Sequence, residues 1–278
     1  MNMNALISIL VLTLIGAGIY LMTPHARQQI DRLHINMQRV ENKALHSAGK
    51  PMPGTPDLAR LDERLASAGV QSGVPIFIRI FKLESELELW VEKNGRYELF
   101  ATYPICLWSG RLGPKLREGD RQAPEGFYTV AAEQLNPNSR WHRSFNLGFP
   151  NAFDQAHGRT GTFLMVHGGC LSIGCYAMTD AVVDEIWGLV TTALDQSQER
   201  FAVHVFPFRM TERNLGLRKG DQWASFWADL KKGYDLFEER RVPPLVSVCD
   251  GRYAFEPGTV TGTAPLVEAR CPAEIAGN

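Results

Sequence analysis

Residues 157–178 read HGRTGTFLMVHGGCLSIGCYAM, and within them His167 and Cys175 are the pair best suited to covalent chemistry. A thiol beside an imidazole makes a nucleophile at neutral pH. The imidazole takes or stabilises the proton, and the sulfur attacks a carbonyl. Fully extended, the segment between them would span about 26 Å, so the chain must fold back for the two side chains to meet. Gly168, Gly169 and Gly174, three of the seven intervening residues, make so tight a return sterically feasible. Gly174, just before Cys175, leaves backbone amides open as an oxyanion hole. Ser172 is a supporting residue of the same loop. His157 and Arg159, just upstream, are candidates to bind a substrate carboxylate, for which an arginine fork is well shaped.

The same residues admit other readings. Free cysteine is among the most buried residue types, so the thiol can simply fill a core. His167, Cys170 and Cys175 also give H-x2-C and C-x4-C, half of a zinc site, with His157 or Cys106 as a fourth ligand brought in by the fold. Ser172 lacks the G-x-S-x-G surroundings of a serine nucleophile.

The elements that must position this chemistry are mostly extended. Residues 76–83 (IFIRIFKL) and 86–92 (ELELWVE) read as strands, Asn94-Gly95 as a hairpin turn, and Tyr97 to Ile105 as the returning strand. Gly126 to Ala131, Thr162 to His167 and Phe201 to Phe208 are further strands. Thr179 to Leu194 and Asp221 to Glu238 have helical apolar spacing, the first capped by Thr179 or Asp180. The stripe Trp223, Phe226, Trp227, Leu230, Tyr234 and Phe237 reads as core packing, and His204, between strand aromatics, as a core histidine. Tyr103 and Trp108 read likewise as core. The expected body is mainly β with packed helices, an α+β domain.

Ahead of it, residues 5–22 (ALISILVLTLIGAGIYLM) carry no charge and read as a signal anchor or signal peptide. Pro24 to Ser47 has helical spacing, with Ile30, Leu33, Met37, Val40 and Leu45 roughly on one side, and reads as a stalk. Residues 49–56 (GKPMPGTP) read as a linker. The divisions are therefore 1–23 anchor or signal, 24–56 helical stalk and linker, 57–245 catalytic domain and 246–278 C-terminal extension. The 278 residues carry 29 Lys and Arg against 30 Asp and Glu, so no global basic field exists to hold nucleic acid.

His167-Gly168 followed by Ser172-Ile173-Gly174-Cys175 resembles the active-site signature of the L,D-transpeptidase (YkuD-type) catalytic domain. Ala123-Pro124-Glu125-Gly126-Phe127-Tyr128 is similar to a second family motif. The YafK/DpaA-like branch is the nearer resemblance. It rests on Tyr103 to Cys106, Gly113-Pro114-Lys115, Asn136 to Ser139, Ser144 to Gly148, His157 to Gly161, Gly174 to Asp180 and Phe206 to Met210, across roughly residues 76–245. The general pattern has a longer gap before the cysteine, a second histidine where Ile173 stands and an arginine where Ala177 stands.

The resemblance implies a small β-sandwich-like catalytic domain and no cofactor. It implies a periplasmic enzyme, held at the inner membrane by its N-terminal helix, acting on peptidoglycan stem peptides. Cys175 would be the nucleophile, His167 the proton carrier, and Tyr176 a substrate contact beside them. An alternative use of the same site is hydrolytic release of an envelope lipoprotein from peptidoglycan. A different class is a non-catalytic peptidoglycan-binding module. Arg27, Arg32 and Arg39 follow the apolar run, which by charge alone would favour a cytoplasmic body. Export outweighs that signal on the motifs. In an oxidising compartment Cys106 with Cys170 and Cys249 with Cys271 can pair, leaving Cys175 free, though spacing does not select the pairing.

Overall fold

Residues 76–81 read IFIRIF and are buried at every position, so this strand must be covered on both faces. A computed structural model describes residues 23–260 and 262–272, and it shows what covers them. Strands β1 (Ile76–Phe81), β2 (Glu86–Lys93), β3 (Arg96–Pro104), β5 (Gly126–Ala131) and β10 (Arg200–Phe206) form one sheet in the order β3-β2-β1-β10-β5. Helix α6 (Ala224–Arg240) lies on one face, where Phe237 meets Phe77 and Trp90, and Tyr234 meets Phe81 and Phe206. Arg79 shares that face and is paired with Glu88 and Glu238. His204 is buried there between the edges of Phe77 and Phe127, the core position expected from its alternation with aromatics.

Ile76, Ile78 and Ile80 alternate to the other face and join a core with α4 (Asp180–Gln196) and a second sheet. That sheet runs β4 (Leu107–Trp108), β9 (Tyr176–Ala177), β8 (Met165–His167), β7 (His142–Asn146) and β6 (Leu135–Ser139). Phe145 of β7 packs edge-on to Phe201 of β10 across the layer. A third, small sheet of β11 (Leu245–Cys249), β12 (Arg252–Glu256) and β13 (Glu268–Ala269) closes one end, with Tyr253 stacked on Phe153. Short helices α2 (Leu61–Ala68), α3 (Ala152–Ala156) and α5 (Glu212–Gly216) complete the body.

Three expectations need correction. The body is mixed α+β rather than mainly β, because 17-residue helices α4 and α6 cover the first sheet on opposite sides. The strand expected over Thr162 to His167 is regular only at Met165–His167. Helix α1 (Pro24–Ser47) has the expected bounds but does not stand off as a stalk. It is docked through Ile35 and the buried Asp31, which accepts two bonds from Arg218 at 2.8 and 2.9 Å. The face bearing Leu33, Met37 and Val40 points outward, 64–71% exposed. No helix among the described residues is long and apolar enough to cross a membrane, and the apolar run 5–22 lies outside them.

Candidate active site

The segment after β8 does fold back. Met178 N donates to His167 O at 2.7 Å and Cys170 N to Met178 O at 3.2 Å, closing the loop between β8 and β9. Gly168 is required by space: a Cβ there would lie 2.6 Å from Asp180 Oδ1. Gly174 is required by its backbone, with φ at +114°. Asp180 opens α4 and accepts from Gly169 N at 2.8 Å, tying the loop to the helix start. Cys170 is disulfide-bonded to Cys106, which pins the middle of the loop to the residue before β4. Cys249 and Cys271 form the second disulfide, and Cys175 is the one free thiol. With both sulfurs committed to each other, Cys106 and Cys170 offer no thiolate for the zinc arrangement.

Strands β8 and β9 are parallel, with Val166 opposite Tyr176 and His167 opposite Ala177. Cys175 directly precedes β9, which places it beside the strand that His167 ends. The two side chains share no hydrogen bond. The Cys175 sulfur accepts from Met165 N at 3.4 Å and faces Phe163 O at 3.6 Å. His167 Nδ1 lies 2.6 Å from Gly168 O, which makes Nδ1 the protonated nitrogen and leaves Nε2 with its lone pair. The Trp141 ring stacks beside the imidazole, centroids 6.1 Å apart.

Burial sets the charge states. It pushes the Cys175 thiol above its ordinary value of 9.0, against a smaller opposing effect of Met165 N–H and of the Lys115 charge. It also pushes His167 below 6.5. The resting pair is therefore neutral thiol and neutral imidazole.

Ser172 is the hub of the nucleophile loop. Its Oγ accepts from Cys175 N at 3.1 Å and donates to Cys175 O at 2.7 Å. A hydroxyl has one proton, so the 3.2 Å contact between Ser172 Oγ and Ser109 Oγ uses the Ser109 proton. Ser109 Oγ in turn accepts from Gly174 N at 2.5 Å. Both amides expected to be open for an oxyanion, those of Gly174 and Cys175, are thus occupied by serine hydroxyls.

The remaining expected site residues are placed elsewhere. Tyr176 is fully buried and donates to Pro124 O at 2.6 Å, a core residue rather than a surface contact. Arg159 is buried, bonded to the buried Asp154 at 2.8 Å and laid over Phe153 and Phe226. One guanidinium nitrogen, Nη1, is thus paired inside the protein, and Nε is buried without a partner among the described residues. His157 is exposed, but its Nδ1 lies 2.9 Å from Phe153 O and its ring packs on Phe153, with no contact to His167 or Cys175. Sequence reasoning misses Ser109, whose partners are 63 and 65 residues away and leave no local pattern. It also misses Trp141. Phe163, Leu171 and Ile173, 50–76% exposed, give the loop an apolar rim.

No family model matches the chain. Two curated proteins do, one from Escherichia coli (strain K12) and one from Escherichia coli O157:H7, both named "Putative L,D-transpeptidase YafK". Each is 51% identical over 181 residues, 65% of this chain and 74% of the relative, so the match takes in the whole site region. Among solved structures, the helical cell shape determining protein Pgp2 of Campylobacter jejuni aligns at TM-score 0.41 and 19% identity, over 66% of each chain. Bd1075 of Bdellovibrio bacteriovorus aligns at TM-score 0.34 and 16% identity, over 59% of this chain and 60% of its own. Likeness that distant supports no transfer of function.

Proposed function

This chain belongs to the YafK family of L,D-transpeptidases, and from that premise we propose that it performs acyl transfer on peptidoglycan stem peptides through Cys175, outside the inner membrane. The observation that supports the reading is the one free thiol directly before the strand that pairs with the strand His167 ends, with the His167 Nε2 left to take a proton.

Cys175 gives its proton to His167 Nε2 as sulfur attacks the carbonyl carbon at the L-centre of diaminopimelate. The carbonyl oxygen becomes an oxyanion. In this reading Gly174 N–H donates to it, exchanging Ser109 Oγ for that oxygen on substrate binding. The C–N bond then breaks, the amine leaves with the proton from His167, and a thioester remains on Cys175. An incoming amine resolves the thioester to a new amide, or water resolves it to a carboxylate. When a lysine-linked lipoprotein is the leaving group it departs as the thioester forms, and water then frees the stem peptide from Cys175 as a carboxylate. Both outcomes need only the Cys175 and His167 machinery, and they differ in which acceptor reaches the thioester.

The test uses the full chain and its Cys175→Ala variant. Each is incubated with tetrapeptide muropeptides and with muropeptides carrying a lysine-linked lipoprotein fragment, and products are read by mass spectrometry. New cross-links or D-amino-acid exchange, absent with Cys175→Ala, is the expected transpeptidase result. Loss of the lysine-linked fragment without cross-links assigns the hydrolytic use. Identical products from both proteins on both substrates would overturn the catalytic reading in favour of a binding module.

A further inference from the structure

Helix α1 is held against the body by Arg39, whose Nε donates to Trp108 O at 3.1 Å and whose Nη2 donates to Gly110 O at 2.8 Å. Between this helix and the 110–122 loop opens a cleft of about 830 Å³. Its floor includes the buried Ile35 and the half-buried Trp223, and four arginines line it. Arg32 and Arg39 are one face of α1 at i, i+7 spacing, while Arg111 and Arg117 come from the loop. Among the described residues none of the four makes an ion pair. The one carboxylate in the lining, Asp120, is committed to Lys115 at 2.6 Å and to the amides of Leu116 and Arg117. Four unneutralised cations in one concave site of a chain with net charge −1 are a local concentration of positive potential, not a reflection of overall basicity.

The wall of this cleft is also the support of the nucleophile. Ser109, one residue before Gly110, holds Gly174 N and Ser172. Gln122 lines the cleft, bonds Arg111 O and Gly113 O, and places its own carbonyl 3.7 Å from where a Gly174 Cβ would be. Gln122 is thus common to the cleft lining and to the packing around Gly174 of the nucleophile loop.

We propose that this arginine-lined cleft binds an acidic peptide, the carboxylate-bearing stretch of the strand whose carbonyl is delivered to Cys175. The assignment rests on the peptidoglycan reading above. It deepens that reading by naming what selects the substrate: a stem peptide carries carboxylates along its length, and arginine forks match carboxylates in pairs. The apolar floor suits the peptide's aliphatic parts.

The test uses the full chain with Cys175→Ala, which binds without turnover, titrated by calorimetry. The probes are the tetrapeptide L-Ala-γ-D-Glu-meso-diaminopimelate-D-Ala and the same peptide with its carboxylates converted to carboxamides. Arg111→Gln/Arg117→Gln is compared with the parent. Both arginines are exposed and unpaired, so the fold is kept, as a melting curve checks; Arg32→Gln is the second variant. The acidic peptide should bind about tenfold more weakly, or worse, to the double variant, with a shallower dependence on salt. The carboxamide peptide should bind both proteins alike and as weakly. Equal affinity for the two peptides, no loss in the arginine variants, or stronger binding of inorganic polyphosphate than of the peptide would overturn the proposal. Failure of the two readings is distinguishable. Arginine-dependent binding without Cys175-dependent turnover sinks the catalysis alone. Cys175-dependent turnover with an unchanged KM in the double variant sinks the cleft alone.

Discussion

Titrating the reactivity of Cys175 tests the neutral-pair assignment directly. Burial holds the thiol above 9.0 and no hydrogen bond ties it to His167, so at pH 7 the thiolate fraction is under about 1%. Alkylation by iodoacetamide should then rise about tenfold per pH unit between pH 7 and 9, with no plateau near neutrality. Cys175 is the free thiol, so the label is read by mass spectrometry without ambiguity from the other four cysteines. His167→Asn should leave the shape of that profile unchanged while lowering turnover by about 10²–10⁴. Turnover of the wild type should persist at pH 6.5 and fall only below it, because burial keeps the His167 imidazole neutral to lower pH than an ordinary histidine. A flat alkylation rate from about pH 5 to 8, abolished by His167→Asn, would refute the reasoning. It would mean a thiolate–imidazolium ion pair, formed against the burial of both groups.

Ser172→Ala removes both hydrogen bonds that clamp the Cys175 backbone, about 2 kcal/mol, and should lower kcat about 30-fold with KM little changed in a muropeptide turnover assay. Arg159→Gln leaves the buried Asp154 without its cation and should cost about 3 kcal/mol in denaturant unfolding, again with KM unchanged; a raised KM at full stability would restore Arg159 as a substrate contact. Replacing Cys106 and Cys170 together by alanine opens a link spanning 64 residues and should cost about 4 kcal/mol, read as a lower denaturation midpoint. Unchanged stability under reductant would contradict that.

Periodicity and turn chemistry made much of the frame legible. The hairpin at Asn94-Gly95, the helix capped by Thr179 and the helix over residues 24–47 are each set by neighbours a few positions away. Short strands such as β4 and β9 were not legible, because two residues have no period and are strands only through their pairing with neighbours in the sheet. The burial of α1 was misread for a related reason. Its sequence reads as a stalk, yet it docks through Asp31 and Ile35, because Arg218 from a distant segment satisfies the carboxylate.

At the site, the sequence by itself determined the reactive types and their loop: an imidazole, a thiol, and glycines where the backbone must double back. Tertiary structure decided the rest. Ser109 reaches Gly174 only because β4 pairs with β9, Arg159 is consumed by Asp154, Tyr176 is sealed beneath Pro124, and four arginines from two distant segments face one cleft. The physical reason is one of range. Local spacing dictates which backbone conformations are accessible, whereas burial, charge state and hydrogen-bond partnership are sums over everything the fold brings near a group.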